Sequence, residues 1–486
     1  MITFIVSLLA LVLGYFLYGR YVDRMFGPDD RQTPAISEAD GVDFMVLPTW
    51  KVFMIQFLNI AGTGPIFGAI MGAKYGPSAY LWIVLGCIFA GATHDYLSGM
   101  LSLRNRGEVL PELIGKYLGS NVKNVVLVFS CFLLVMVGTV FVYSPAEILQ
   151  SFGGSTLFWI LAIFIYYIIA TFLPVDKIIG KIYPLFAFSL LFMAFALMVM
   201  LFVKMPQVPE IWDGLGNMAT AHGEASDPIF PCLFITIACG AISGFHATQS
   251  PIMARCIKSE RLGRKVFYGS MITEGVVALI WATVASYFFY GEPAPGYQIL
   301  EAAKGYHTSA PEVVNLICND WLGVVGGILA LLGVVAAPIT SGDTAFRSAR
   351  LIVADALGVN QKPISKRLMI GVPLFIASIL MLVWQMENPD GFQVIWQYFG
   401  WANQTLSVFT LWMLTVWLTL SGRNYFVTLI PALFMTTVCV TFLCISPQAF
   451  ALNATLSYVI GIASCVIGVL WFVAWKRKVK VTRLTD

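Results

Sequence analysis

The chain has 486 residues, of which 58% are hydrophobic and 11% charged, and its mean hydropathy is +0.81. A soluble domain cannot bury that much apolar surface, so the composition predicts an all-α polytopic membrane protein. The net charge of +3 argues against a nucleic-acid partner. The nine cysteines form no CxxC pair and no zinc-like spacing, which favours buried thiols and predicts no metal site.

Thirteen apolar stretches are long enough to cross a bilayer. When the first loop is placed inside and the others alternate, only Lys74, Lys204 and Lys304 of the 29 lysines and arginines lie outside. An extra or missing span would scramble this bias, so the charges predict thirteen helices, an outside N-terminus and a cytoplasmic C-terminus. The stretches are 2–19, 51–72, 79–101, 123–149, 157–173, 182–203, 229–252, 267–290, 321–341, 368–386, 392–420, 425–446 and 454–475.

The second span contains the run LNIAGTGPIFGAI, residues 58–70, where poor helix formers interrupt apolar sequence. Pro65 lacks a backbone donor, and Gly62 and Gly64 permit extended backbone. One interpretation is a kinked helix, or close packing at Gly64. The other is a broken helix that lines a cavity. The broken helix predicts five residues in contact with substrate: Asn59, Ala61, Gly62, Thr63 and Gly64.

The third and fourth spans carry ionisable side chains, which are costly in a membrane unless they are paired or wetted. His94 and Asp95, in GATHDYLSG, would form a proton relay or inner gate, or one of them would pair with a basic residue at the membrane face. Tyr143 and Glu147 lie in VYSPAEIL. They predict a substrate contact and a proton acceptor or gate, unless Glu147 is a wetted residue near the outer surface.

The seventh span is interrupted in the same way as the second. The run ACGAISGFHATQSP, residues 238–251, again places glycines and a proline inside an apolar segment. His246 would donate to a substrate carboxylate or carry a proton, since imidazole titrates near neutral pH. The alternative is a histidine satisfied by a neighbouring carbonyl. The substrate-contacting residues predicted here are Ser243, Gly244, His246, Thr248 and Gln249.

Four ordinary spans separate the two interrupted helices, so these helices begin successive five-span blocks of opposite orientation. Broken helices at corresponding positions of two inverted halves predict a five-plus-five, LeuT-like transporter. Their free N–H groups favour an anion and their free carbonyls favour a cation. The predicted parts are an N-terminal addition 1–50, repeats 51–203 and 229–420, two accessory helices 425–475 and a basic tail 476–486.

The spans after the second interruption carry further polar groups. Glu274 opens the eighth span beside Arg264 and Lys265, which favours an ion pair at the interface. Asn403 and Gln404 lie within the eleventh span and predict either a lined cavity or a cross-link between helices.

The run APITSGDTAFR, residues 337–347, ends the ninth span with hydroxyl side chains and a carboxylate. Thr340, Ser341 and Asp343 would hold a coupling cation, H⁺ or Na⁺, beside the first interruption. Asp343 would otherwise pair with Arg347 one helical turn later.

Four motifs make the chain resemble the carbon starvation protein A family of bacterial inner-membrane transporters, over residues 45 to 420. They are LNIAGTGPIFGAI, LWIVLGCIFAGATHDYLSGMLSLRNRG, GFHATQSP and APITSGDTAFRSARL. The resemblance implies a short-form member with the fold of the amino acid–polyamine–organocation transporters. It also implies secondary uptake of peptides or pyruvate during carbon starvation, coupled to protons, with no cofactor beyond the coupling ion.

Other functions remain as alternatives. No HExxH motif occurs and the four histidines lie in four regions, which argues against an intramembrane enzyme. A Na⁺-coupled amino-acid or carboxylate symporter and a nutrient-sensing receptor stay open. Neither interruption contains an acid, which favours an anion such as pyruvate over a peptide with its ammonium group. The basic tail predicts contact with anionic lipid, and the oligomeric state is open.

Overall fold

The computed structural model describes residues 1–41, 43–172, 179–218, 227–292, 294–295, 310–361, 363–388 and 391–478. These residues are helical or irregular, apart from one isolated bridge between Gln207 and Glu292. Within them, eight helices are long and apolar enough to cross a membrane, and one bent pair of helices raises that number to nine. The all-α polytopic class is therefore confirmed.

The longer helices are numbered here in chain order. They are α1 (Ile2–Phe26), α2 (Thr49–Ile60), α3 (Gly64–Tyr75), α4 (Pro77–Arg104), α5 (Leu110–Leu118), α6 (Ser120–Gln150), α7 (Thr156–Phe172), α8 (Ile179–Lys204), α9 (Ile229–Thr236), α10 (Gly244–Ala254), α11 (Glu260–Tyr290), α12 (Ala310–Ala356), α13 (Ile364–Glu387), α14 (Gly391–Leu420), α15 (Phe426–Ile445) and α16 (Ala454–Lys478). Each predicted span overlaps one of these helices or a broken pair. The number of membrane crossings, the inverted repeat and the block boundaries stay predictions.

Both predicted interruptions are present. The first lies between α2 and α3, whose axes are bent by 52°. Pro65 lies in the first turn of α3, where its missing N–H leaves no hydrogen bond unmade. The second lies between α9 and α10, where Ser243 is extended with φ −144° and ψ 125°. The residues of the first break are 61–63 and those of the second are 237–243.

The two breaks lie at the centre of the helix packing. α10 packs against α4, α14, α2 and α12, and α2 packs against α8, α11 and α12. α12 is the longest helix and has one non-helical residue, Gly323, with φ 63°. It runs along α6 and α8 and so brings residues 340–343 beside the first break. Helices from both predicted blocks therefore surround the same polar centre.

A buried ion pair joins the start of α11 to the end of α4. The Glu260 carboxylate is 0% exposed and accepts hydrogen bonds from Nε and an Nη of Arg104, each at 3.0 Å. It also accepts from the backbone N–H of Asp29 at 3.1 Å. Three donors therefore converge on one carboxylate on the lysine- and arginine-rich side of the chain.

Glu260→Gln is expected to lower the free energy of unfolding by about 3–5 kcal/mol, because it leaves a largely buried Arg104 with only the half-exposed Asp29, 4.0 Å away, as a charge partner. Unfolding in detergent with increasing dodecyl sulfate measures this. Glu38→Gln is the matched control, since Glu38 lies 3.8 Å from an exposed Arg106 and should contribute below about 1 kcal/mol. Equal stability of the two variants would contradict the assignment.

Candidate functional site

One carboxylate joins α4 to the second break. Asp95 Oδ2 lies 2.8 Å from Nδ1 of His246, which is in the first turn of α10. Asp95 Oδ1 lies 2.8 Å from Nδ1 of His94. All three side chains are 0% exposed. The structure thus brings His246 beside His94 and Asp95, which the sequence singled out in another motif. The partner of His246 is a carboxylate rather than a carbonyl, and the described partners of the Asp95 carboxylate are the two histidines.

Glu274 extends this cluster on the other side of His246. Its Oε2 lies 3.5 Å from His246 Nε2, and the side chain is 0% exposed. The predicted interfacial pair with Arg264 or Lys265 is wrong. Glu274 lies ten residues past Arg264, roughly 15 Å farther along the helix, and Arg264 instead faces Asp23 at 3.8 Å.

Asn403 holds the start of α10. Its side-chain oxygen accepts from the backbone N–H of Phe245 at 2.7 Å and from the Ser243 hydroxyl at 3.0 Å. Gln404 donates to the Phe234 carbonyl at 2.9 Å, near the end of α9. Both amides therefore cross-link α14 to the second broken helix, which was one of the two predicted roles. The Asn403 oxygen therefore satisfies a free backbone N–H at the N-terminus of α10.

The two breaks touch each other at a glycine. A Cβ on Gly64 would lie 2.3 Å from Cys239 Sγ and 2.4 Å from Cys239 Cβ. One turn later, a Cβ on Gly68 would lie 2.8 Å from the Thr236 carbonyl oxygen. Gly64 thus serves both interpretations of its motif, because it lies beside a break and permits close packing.

α12 contacts the first break as predicted. The Ser341 hydroxyl donates to the Leu58 carbonyl at 2.9 Å, and a Cβ on Gly62 would lie 3.3 Å from Ser341 Oγ. The Thr340 hydroxyl bonds carbonyls of its own helix. Asp343 accepts from the Tyr183 hydroxyl at 2.7 Å, so its described hydrogen bond is to α8 rather than to the break.

Several buried polar atoms around the breaks find no hydrogen-bond partner among the described residues. They are both amide atoms of Gln56 and of Asn59, the Thr63 hydroxyl and the Gln249 oxygen. Unpartnered buried groups are rare in native structures and indicate a ligand or water. Sequence analysis missed Gln56, although an amide one helical turn before Asn59 is a usable signal.

The remaining predicted residues lie at different depths. The Thr248 hydroxyl donates to the Phe245 carbonyl of its own helix and accepts from Gln249. Tyr143 and Glu147 lie one turn apart on α6 and are half-buried, unlike the fully buried breaks. Ala61 and Gly244 are buried backbone positions at the breaks. The roles of all these residues stay predictions.

The fold of this chain is similar to those of solved transporters. The manganese transporter of Eremococcus coleocola has a TM-score of 0.55 at 12% identity, over 90% of this chain and 99% of that one. A Na⁺-coupled sialic acid symporter has a TM-score of 0.51 at 15% identity, over 96% of each chain. These likenesses concern the fold. The apolar helices and these likenesses together define the class: a multi-pass membrane protein with a transporter fold.

The chain belongs to the carbon starvation protein CstA family, whose model matches residues 1–156, 142–325 and 303–442. The peptide transporter CstA of Helicobacter pylori is 26% identical over 533 residues, covering 85% of this chain and 76% of that one. The pyruvate/proton symporter BtsT of Escherichia coli is 26% identical over 372 residues, covering 61% and 51%. A membrane protein of Haemophilus influenzae is 43% identical over 341 residues, covering 60% and 91%.

These findings confirm the predicted family, and they support secondary transport rather than an enzymatic activity. Neither the substrate nor the coupling ion follows from the fold, so both belong to the proposal below.

Proposed function

We propose that the chain is a proton-coupled secondary transporter that takes up small carboxylate-bearing substrates across the bacterial inner membrane during carbon starvation. Relatives are named for peptide transport and for pyruvate/proton symport, and both kinds of substrate carry a carboxylate. The observation that carries the proposal is the buried contact of His246 with Asp95 at the second break. The proposed orientation has the N-terminus outside and the C-terminus in the cytoplasm, from the charge bias.

The arrangement separates a substrate region from a coupling region. The unpartnered Asn59 amide and Thr63 hydroxyl are neutral donors that would bind a carboxylate beside the first break. A series of ionisable side chains runs from His94 through Asp95 and His246 towards Glu274 and links α4, α10 and α11. Ionisable side chains buried in a membrane are costly and are usually paired or functional. We therefore propose that this series of side chains is the proton path.

A Na⁺-coupled carboxylate symporter is the second candidate function. It is favoured by the Ser341 hydroxyl, which lies 2.9 Å from the Leu58 carbonyl oxygen at the first break. Hydroxyl and carbonyl oxygens are ligands for a hard cation. The basic tail is proposed to contact anionic lipid. Its residues 479–486 lie outside the described part of the chain, and Lys476 donates to the Tyr425 hydroxyl.

Purified protein in proteoliposomes is expected to accumulate labelled pyruvate when the outside is acidic, because the proton path links entry of the substrate to entry of a proton. Labelled di- and tripeptides tested in parallel decide the substrate class. His246→Ala should reduce uptake to the background of protein-free liposomes. Accumulation driven only by a Na⁺ gradient would select the second function, and wild-type uptake by His246→Ala would remove His246 from the coupling site.

A further inference from the structure

Three chemically different side chains converge at the second break. Cys239 comes from the break, His246 from α10 and Glu274 from α11, and each is at most 3% exposed. One ligand atom from each, the thiol sulfur, an imidazole nitrogen and a carboxylate oxygen, lies within 4.8 Å of the other two. These distances suit three donor atoms around one small ion.

The facing nitrogen and oxygen atoms lack hydrogen-bond partners within the described part of the chain, whereas the Cys239 thiol donates to the Ser243 hydroxyl at 3.7 Å. His246 Nε2 and both carboxylate oxygens of Glu274 find no hydrogen-bond partner among the described residues. Nε2 and Oε2 are 3.5 Å apart, so two lone-pair donors face each other at the limit of hydrogen bonding. Buried polar groups are normally satisfied, and a cation between these atoms would satisfy His246 Nε2 and one carboxylate oxygen of Glu274.

The surroundings are those of a metal-binding imidazole. His246 Nδ1 is held by the Asp95 carboxylate at 2.8 Å, which directs the Nε2 lone pair towards Glu274. The Asn403 amide lies 3.6 Å from Cys239 Sγ and steadies the sulfur. A thiolate and a carboxylate together would neutralise a divalent ion, which suits a buried site.

We propose that Cys239, His246 and Glu274 bind one divalent transition-metal ion of the Zn²⁺ class. Thiolate sulfur, imidazole nitrogen and carboxylate oxygen are the ligand types that Zn²⁺ uses in proteins. Three protein ligands with a fourth position for water or a substrate oxygen make an open zinc site. The prediction of no metal rested on spacing along the sequence. The break and the packing of α11 bring together ligands that are 7 and 28 residues apart, which no local motif reports.

Bound metal would occupy two groups of the proposed proton path, His246 and Glu274, and so inhibit uptake. This consequence rests on the proposed function, whereas metal binding itself does not. Failure of the metal site and failure of the proposed transport function are distinguishable, because metal binding is measured on solubilised protein and uptake on metal-free proteoliposomes.

The test titrates Co²⁺ into the purified, chelator-stripped full chain and follows visible and near-ultraviolet absorption. We expect one equivalent to bind with thiolate charge-transfer bands, and Zn²⁺ to displace it. Cys239→Ser should lose these bands, whereas Cys256→Ser, a buried thiol elsewhere, should keep them. Asp95→Asn should weaken Zn²⁺ binding by about 10- to 100-fold.

Absence of stoichiometric Co²⁺ binding by the wild type, or unchanged charge-transfer bands in Cys239→Ser, would overturn the proposal. Zn²⁺ should also raise the unfolding temperature of the wild type, because it binds only the folded chain. Glu274→Gln provides a second variant if Cys239→Ser aggregates. An equal Zn²⁺-induced rise in Glu274→Gln would likewise contradict the site.

Discussion

Asp95→Asn is expected to abolish uphill, proton-driven uptake while the protein remains folded. The Asp95 carboxylate faces ring nitrogens of His94 and His246 with its two oxygens, each at 2.8 Å. An asparagine of the same shape presents one oxygen and one NH₂ group, so it can accept from only one of the two imidazoles. Labelled pyruvate uptake under an imposed pH gradient should fall to the background of protein-free liposomes.

Substrate exchange measured without a pH gradient distinguishes a loss of proton coupling from a loss of substrate binding in Asp95→Asn. If Asp95 serves only the proton path, Asp95→Asn should still exchange labelled for unlabelled substrate. Asp23→Asn is the matched control, because Asp23 accepts from the Tyr96 hydroxyl near the basic side and should leave uptake within about twofold of the wild type. Accumulation by Asp95→Asn at the wild-type level would contradict the proposed path.

Gly64→Ala is expected to separate the two broken helices and to stop transport. The new methyl group would lie 2.4 Å from Cys239 Cβ, which is fixed to its backbone, so one break must move. Overpacking of this kind costs about 1–3 kcal/mol of folding free energy. Unfolding temperature and substrate exchange in proteoliposomes measure the two effects, and both should decrease.

A second substitution that removes the clashing Cys239 side chain tests whether this contact causes the loss of transport. In Gly64→Ala with Cys239→Gly, the added methyl would lie 3.8 Å from the Cys239 Cα, an ordinary contact, so stability and exchange should recover in part. Gly216→Ala is the control, because no atom lies within 4 Å of a Cβ built there. No recovery in the double variant, or no effect of Gly64→Ala, would refute close contact between the breaks.

The broken helices could be predicted because their cause is local. Pro65 and its neighbouring glycines restrict or free their own backbone, and glycines recur at 238–251, so sequence alone indicated both interruptions. Pro251 of the second run lies inside α10 rather than at the break. Ser341 followed from its place at the end of a span, and the structure puts its hydroxyl on the Leu58 carbonyl.

The partners inside the site could not be predicted because they meet through helix packing. Asp95 and His246 are 151 residues apart, and nothing in either motif names the other. Glu274 was misassigned because α11 begins at Glu260, seven residues before the predicted span, which places Glu274 deeper in the helix. The sequence favoured a buried, unreactive thiol at Cys239. In the structure the break places this thiol beside an imidazole and a carboxylate.

The central claim is that a carboxylate substrate and a proton enter together through the buried cluster at the second break. The most direct measurement uses proteoliposomes that contain a trapped pH-sensitive dye and have no imposed pH gradient. The lumenal pH is followed when pyruvate is added outside. The wild type should acidify the lumen faster than protein-free liposomes, and Asp95→Asn should match the protein-free rate. Entry of labelled pyruvate into wild-type proteoliposomes without lumenal acidification would contradict the claim.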